Sequence, residues 1–415
     1  MRSADGTGSI VLCEPQCWAF EHASFNAALL QTVALAEPQS RLVFMGEGGH
    51  LAGVREELAR YGCDPERVEW REIRIPPRTL GGWRRLNSER DWCGCTLRAA
   101  AGAKALILCS ATATGLMVLK GMLGVRRGRA PVLATLHGVL ASIDQPQPRK
   151  PWHWATSLRQ VLQLPHPKQL TYLVLGASIR ASLVEAMPAA AVHFEAVDLP
   201  YLMPADDRGI TPPDGLIRFG FFGAGRADEK GLDKFFRLAR EVNHHELGAR
   251  GEFVMVGFLA DVDIATPEGS PVEASRHPLS SEEYSNRARH LTYALGIADP
   301  LHYRLVASAS FFDGLRYGKP GIYLRNPYLE YYFGRLGDVG YLCDSYEEVR
   351  DVVLSTLREF PEMRYRQQCE NIWRGRELFQ PRSVADALGS IIERAWQRLA
   401  ERSRGRSLRR LGGAR

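Results

Sequence analysis

Four glycines stand around an arginine and a lysine in GFFGAGRADEKGLDKF, residues 220–235. The stretch follows an apolar run and precedes a helical pattern, so it reads as a strand-to-helix turn. Glycine lets the backbone reach positive φ and approach a ligand closely, and Gly223 and Gly225 supply that freedom here. The helix expected from Gly231 onward points free amides and the positive end of its dipole back at the turn. Arg226 and Lys230 add two full charges. The combination suits a diphosphate. Its plain alternative is a chain reversal, which a parallel α/β domain needs whether or not it binds anything.

A second constellation lies in HYRLVASASFFDGLRYGKPGIYLRNP, residues 302–327. Small residues, among them Ser308, Ala309 and Ser310, open a helical stretch that carries Asp313, and Gly318-Lys319-Pro320 closes it. Such a helix entrance accepts phosphate oxygens, and a carboxylate one turn further in accepts hydrogen bonds from a ribose diol. The alternative is a surface acid near a helix start. Taken together, the two turns favour a nucleoside diphosphate over either reading alone.

In the first half, His137 ends the apolar run PVLATLH and is followed by Gly138. The carboxyl end of a strand is where parallel sheets gather their ligands, although a single histidine there can equally be structural. Glu21 and His22 follow the first strand-like run, whereas His244 and His245 precede a Gly-rich loop and read as solvent-facing.

These residues need a scaffold, and the chain is long enough to build one. Its 415 residues, 45% hydrophobic and 24% charged, suggest about two domains. SIVLC, RLVFMG, VEWREI, KALILC, PVLATLHG, TYLVLG and VHFEAV read as strands, with helical periodicity between them. A Pro-, Asp- and Gly-rich stretch follows, and the pattern restarts with LIRFGFFG, EFVMVGF, HLTYAL, PGIYL and VGYLC. The expected fold class is α/β, with two doubly wound Rossmann-like domains facing a cleft at residues 1–200 and 216–380. Residues 201–215 would link them, 381–403 would form a helix returning to the first domain, and 404–415 would be a basic disordered tail.

Eight scattered cysteines suggest reduced thiols and a cytosolic setting, and the single residue between Cys93 and Cys95 is weak spacing for metal ligation. No run reaches the ~20 apolar residues of a spanning helix. The net charge is +6, and residues 71–129 hold twelve Lys or Arg against three acids. No nucleic-acid signature accompanies that charge, so nucleic acid is not an expected partner. An anionic lipid surface is the better candidate, since Trp152 and Trp154 follow Arg149 and Lys150.

GRADEKG, FVMVGF and FFDGLRYGKP together resemble the donor domain of GT-B glycosyltransferases, particularly the retaining glycosyltransferase family 4. The resemblance covers most of residues 215–380, and the first half only by its βα order. It implies that Arg226 and Lys230 bind the donor diphosphate and that Asp313 binds ribose. The family's first glutamate falls on Leu305, and the Arg-to-Lys spacing is one residue short. Tyr303, Arg304 and Ser308 then remain as candidates for the sugar contact. The first domain would hold the acceptor, with His137 beside the transferred sugar and Glu21 and His22 near the acceptor.

The reaction implied is hexosyl transfer from a nucleotide-diphosphate sugar to a hydroxyl acceptor, with a lipid-linked oligosaccharide for a bacterial surface polysaccharide as the expected acceptor. The enzyme would sit in the cytoplasm against the inner membrane. The basic pair and helix dipole would serve the leaving diphosphate, so neither metal nor cofactor is expected. Retention follows from the resemblance alone, and an inverting enzyme would take Glu21, His22 or Asp144 as its base. A non-catalytic nucleotide- or glycan-binding protein and a nucleotide-sugar epimerase are the alternatives.

Overall fold

The computed structural model describes the chain except residues 1–7, 126–129, 146–155, 205–212, 214, 226–229, 261–271, 273 and 413–415. Arg226 therefore lies outside the described residues, as do Arg149, Lys150 and Trp152–Trp154. Two compact units emerge, one from residues 1–202 with 379–415 and the other from 203–378.

The first unit is a seven-stranded parallel sheet built from β1 (Ser9–Cys13), β2 (Arg41–Gly46), β3 (Val68–Glu72), β4 (Ala105–Leu108), β5 (Val132–Thr135), β6 (Leu170–Leu175) and β7 (Phe194–Val197). Its spatial order is β3-β2-β1-β4-β5-β6-β7, with β1 paired to both β2 and β4. Ile10, Val11 and Leu12 on β1 and Leu106 and Ile107 on β4 are all fully buried. Continuous apolar strands of this kind are what a sheet covered on both faces demands.

The second unit is a five-stranded parallel sheet of β8 (Ile217–Gly225), β9 (Gly251–Leu259), β10 (Tyr293–Gly296), β11 (Gly321–Leu324) and β12 (Gly340–Cys343), in the order β12-β11-β10-β8-β9. The helix Leu232–Asn243 buries Leu232, Phe235, Phe236, Ala239 and Val242, a three-and-four spacing that sets one apolar stripe on the sheet. Phe219, Phe235, Phe253 and Tyr293 form the aromatic centre of that core.

The chain enters the expected linker as buried backbone rather than as an open tether: Leu199, Tyr201 and Leu202 are buried, and the Tyr201 amide donates to the Phe379 carbonyl. The last helix, Pro381–Gly412, packs in the first unit against the helix Ala23–Ala36 and β7. Arg394 and Arg398 clamp Glu195 of β7, each at 2.9 Å. Burial alone would raise the Glu195 carboxyl, but these two guanidinium groups hold it below its ordinary range. The backbone stays helical as far as Gly412, so the segment expected to be disordered from 404 continues the helix. Arg and Leu, which dominate that stretch, are good helix formers.

No helix among the described residues is long and apolar enough to cross a membrane. All eight cysteines are free, and no cluster of His, Cys, Asp or Glu among the described residues is arranged to hold a metal.

Candidate functional site

In the second sheet the strand order reverses between β8 and β10, the place where open parallel sheets bind ligands at their carboxyl ends. A recess opens there. Its walls include Lys230, Tyr303, Ser308, Ser310, Tyr323 and Asn326, and it encloses about 410 Å³ not filled by protein atoms, part of it open to solvent.

Gly231 explains why the turn ends as it does. Its φ is +69°, and a Cβ there would lie 2.2 Å from the carbonyl oxygen of Ile297, just past β10. Only glycine tolerates both demands, so the first turn of the helix Leu232–Asn243 is seated against the end of β10. Gly231 offers no side-chain cap. The leading amides of that helix thus keep the character of an anion site. Lys230 stands beside them, its ammonium over Gly223, where a Cβ would come within 3.3 Å of Nζ. Gly223 also has φ +90°. Gly225 is buried beside Met255 and Leu232, where a side chain would collide.

Across the recess, Ser308 caps the helix Ala309–Arg316 by accepting from the Phe311 amide at 3.3 Å. Its hydroxyl also lies 3.0 Å from that of Ser310. Tyr303 is buried in the wall; Arg304, half-buried, and the exposed Ala309 are not among the lining residues. Leu305 is buried. Asp313 is buried too and does not line the recess; it accepts a 2.8 Å hydrogen bond from the Tyr284 hydroxyl. Burial, and then the neighbouring Asp313 charge, push the Tyr284 phenol well up, so it remains a donor. Lys319 donates to the Arg289 carbonyl at 2.7 Å, capping another helix of the same unit.

In the first unit two of the three expected residues meet. His137 Nε2 lies 3.1 Å from His22 Nδ1, and the His137 ring stacks on Phe25 at 5.2 Å. Gly138, with φ +69°, lets the chain turn so tightly that the Val139 amide donates back to the His137 carbonyl at 2.7 Å. The His137 residue is half-buried, but its Nδ1 is enclosed and makes no hydrogen bond among the described residues. Burial, assisted by His22, lowers its pKa to about 3. A neutral imidazole results. Glu21 does not join this pair; it forms an ion pair with Arg78 at 2.6 Å and accepts from the Trp18 amide. Asp144 is exposed, 3.8 Å from Arg159. His244 is exposed and His245 half-buried, accepting from the Leu247 amide.

No protein-family model and no curated protein matches the sequence. Solved structures do match. A sucrose-phosphate synthase from Thermosynechococcus elongatus is 13% identical, with a TM-score of 0.64 over 94% of this chain and 99% of that one. WaaG, a glycosyltransferase involved in lipopolysaccharide biosynthesis, is 12% identical, with a TM-score of 0.60 over 92% and 99%. HepE of Anabaena, solved with UDP and glucose, is 10% identical, with a TM-score of 0.55 over 96% and 100%. The chain has the GT-B fold.

Within this GT-B chain the first unit also holds a polar network that motif reading passes over. Glu14 is 1% exposed at the carboxyl end of β1, next to β4 where the first sheet's order reverses. Its carboxylate accepts from the Gln16 amide, the Cys17 amide, Asn26 Nδ2 and the Ser110 hydroxyl. Asn26 reaches on to His50 at 2.8 Å, and His50 Nδ1 donates to the Ala19 carbonyl at 2.9 Å. The loop that leads to His22 is thereby tied to the sheet at both its start and its middle. In sequence the only signal is an acid directly after SIVLC. Asn326 was missed in the same way, although an Asn before a Pro at a helix start is a cap signature; it accepts from the Leu329 amide at 3.0 Å.

Proposed function

We propose that this GT-B protein is a glycosyltransferase that moves a hexosyl unit from a nucleotide-diphosphate sugar to a hydroxyl acceptor. The recess between the ends of β8 and β10, with Lys230 and an uncapped helix start on one wall and Ser308 and Ser310 on another, is the observation that carries this reading. The UDP and glucose bound by HepE, and the sugar-phosphate product named for the sucrose-phosphate synthase, support a nucleotide-sugar donor.

As the bond from the anomeric carbon to the diphosphate oxygen breaks, negative charge grows on the leaving group. Donors that are already oriented there, Lys230 and the helix amides, stabilise that charge more than they stabilise the bound donor, and Arg226 is assigned to the same diphosphate on the family resemblance. Asp313 is assigned to the ribose diol on the family resemblance; it is buried and does not line the recess, and one of its oxygens accepts from the Tyr284 hydroxyl. His137, kept neutral by its surroundings, is assigned to the transferred sugar as a hydrogen-bonding rather than a charged group. The acceptor is a lipid-linked oligosaccharide reached at the cytoplasmic face of the inner membrane; WaaG's part in lipopolysaccharide biosynthesis supports it. Retention of configuration is proposed on the family resemblance.

One observation favours a second reading, a binding protein without turnover. Leu305, buried and apolar, stands where the family places its sugar-contacting glutamate. A panel of nucleotide sugars separates the two. Thermal stabilisation by one donor with slow hydrolysis of that donor supports a transferase; stabilisation with no hydrolysis and no transfer supports the binding protein. No stabilisation by any member refutes both.

A further inference from the structure

Ala19 and His22 are the two non-glycine residues with positive φ among the described residues, at 48° and 52°. Both lie in the loop that joins β1 to the helix Ala23–Ala36. A left-handed backbone is strained for a residue with a Cβ and persists only where its surroundings enforce it. Here Ala19 is held by both of its backbone groups. Its amide donates to Glu47 Oε2 at 3.3 Å, and its carbonyl accepts from His50 Nδ1 at 2.9 Å. Gly53 shares the helix Gly48–Arg60 with His50 and lets that helix close on the loop, since a Cβ there would stand 3.3 Å from the Ala19 carbonyl oxygen.

Hydrogen-bond polarity runs back from Ala19 to the sheet. Glu14 accepts from four donors, as a carboxylate does. It therefore turns the Asn26 amide with Nδ2 toward it at 3.1 Å, and the same Nδ2 donates to His50 Nε2 at 2.8 Å. His50 Nε2 must then be bare and Nδ1 protonated, the tautomer that can donate to Ala19. Asn26 and His50 are fully buried, and Asn26 Oδ1 is enclosed without a hydrogen bond among the described residues, a cost in stability that this polarity carries.

We propose that Glu14, Asn26, His50 and Glu47 are positioning residues that act through Ala19 to hold His22 against His137. The inference rests on the transferase reading, in which that pair meets the reacting sugar and its acceptor. Between Ala19 and His22 the turn is closed by the Glu21 amide on the Trp18 carbonyl at 3.0 Å and the Ala23 amide on the Phe20 carbonyl at 3.2 Å. It thus passes the orientation of Ala19 on to His22. The His22 side chain does not cap the helix Ala23–Ala36; its Nδ1 lies 3.1 Å from His137 Nε2 instead. From the helix side, the Asn26 backbone amide donates to the His22 carbonyl at 2.9 Å. A loop free to return Ala19 to an ordinary φ would carry His22 away from His137.

Glu14→Gln in the full chain tests this. The introduced amide nitrogen would face Asn26 Nδ2, donor against donor; turning Asn26 over forces the His50 proton onto Nε2 and sets a bare Nδ1 against the Ala19 carbonyl. Amide hydrogen exchange in residues 15–22 should quicken while the rest of the first unit keeps its protection, and the imidazole nitrogen NMR signals of His22 and His137 should show their mutual hydrogen bond lost. With the best donor of the nucleotide-sugar panel, kcat should fall about 10- to 100-fold while UDP affinity stays within about twofold. Glu47→Ala, at a half-buried position, should act in the same direction and decides the matter if Glu14→Gln does not fold, which thermal melting checks. Folded variants whose loop exchange and imidazole signals match the parent overturn the proposal. So does an altered loop with unchanged kcat, or a loss of kcat matched by an equal loss of UDP affinity, the mark of a general structural role. Exchange and imidazole spectra need no substrate: if they change as expected while the parent neither binds nor turns over any nucleotide sugar, the transferase reading falls and the hold on His22 stands.

Discussion

At the residue scale, His137 separates what an environment does from what a sequence displays. Its enclosure and the neighbouring His22 keep it uncharged, with a pKa near 3 against an ordinary value of about 6.5. The unfolded chain takes up a proton at this residue below about pH 6.5 while the folded chain does not. The stability His137 contributes is therefore complete above that pH and is lost as the pH falls toward 3. His137→Phe should melt with a smaller loss of Tm between about pH 7 and pH 5 than the parent shows; an equal loss means the ring is not held neutral. For turnover, His137→Ala should leave nucleotide affinity within about twofold and lower kcat by roughly a hundredfold or more, as expected of a group that meets only the reacting sugar. Steady-state kinetics beside UDP titration checks both halves. In sequence His137 was visible as a histidine ending a strand, but its pairing with His22 depends on two loops 115 residues apart meeting. Glu21, adjacent to His22, turned instead to Arg78. Spacing along a chain cannot distinguish those two outcomes, because the left-handed backbone at His22, φ 52°, decides which of the neighbours faces His137.

At the element scale, each of β1 through β12 overlaps a strand-like run that the sequence displays, with β6, β8, β9 and β10 reaching a residue or two beyond it; central strands such as β1 and β4 are apolar because both faces are buried, whereas β3, at the sheet edge, keeps charged residues. Helix starts were less legible. Ser308 and Asn326 use ordinary side-chain caps, whereas Gly231 has none, and its purpose appears only when Ile297, just past β10 and 66 residues later, comes up against it. Gly231→Ala should destabilise the protein by about 1–3 kcal/mol through forced positive φ and the clash with that carbonyl, and should weaken UDP binding as the helix start moves. Chemical denaturation measures the first effect and titration the second. A variant as stable as the parent would mean that the turn relaxes freely and is not fixed by β10. Ser308→Ala, which removes a single cap, should cost about 1 kcal/mol.

At the scale of the whole molecule, the two doubly wound units differ in strand order but share a rule: each reverses its sheet beside its first strand, β1 against β4 and β8 against β10. Polar groups collect at the carboxyl ends there, Glu14 with Ser110 in one unit and Lys230 with Ser308 in the other. The paired architecture was legible because the βα pattern stops and restarts once; the Pro381–Gly412 helix belongs to the first unit, the place the sequence reading gave residues 381–403. The most direct measurement is calorimetric titration of UDP into the full chain and into Lys230→Ala. The parent should bind, and the variant, still folded, should bind roughly 10- to 100-fold more weakly, since a charge-assisted contact contributes about 1.5–3 kcal/mol. Equal affinity in the two proteins, or no binding by the parent, would contradict the assignment of the Gly223–Gly231 turn to a diphosphate.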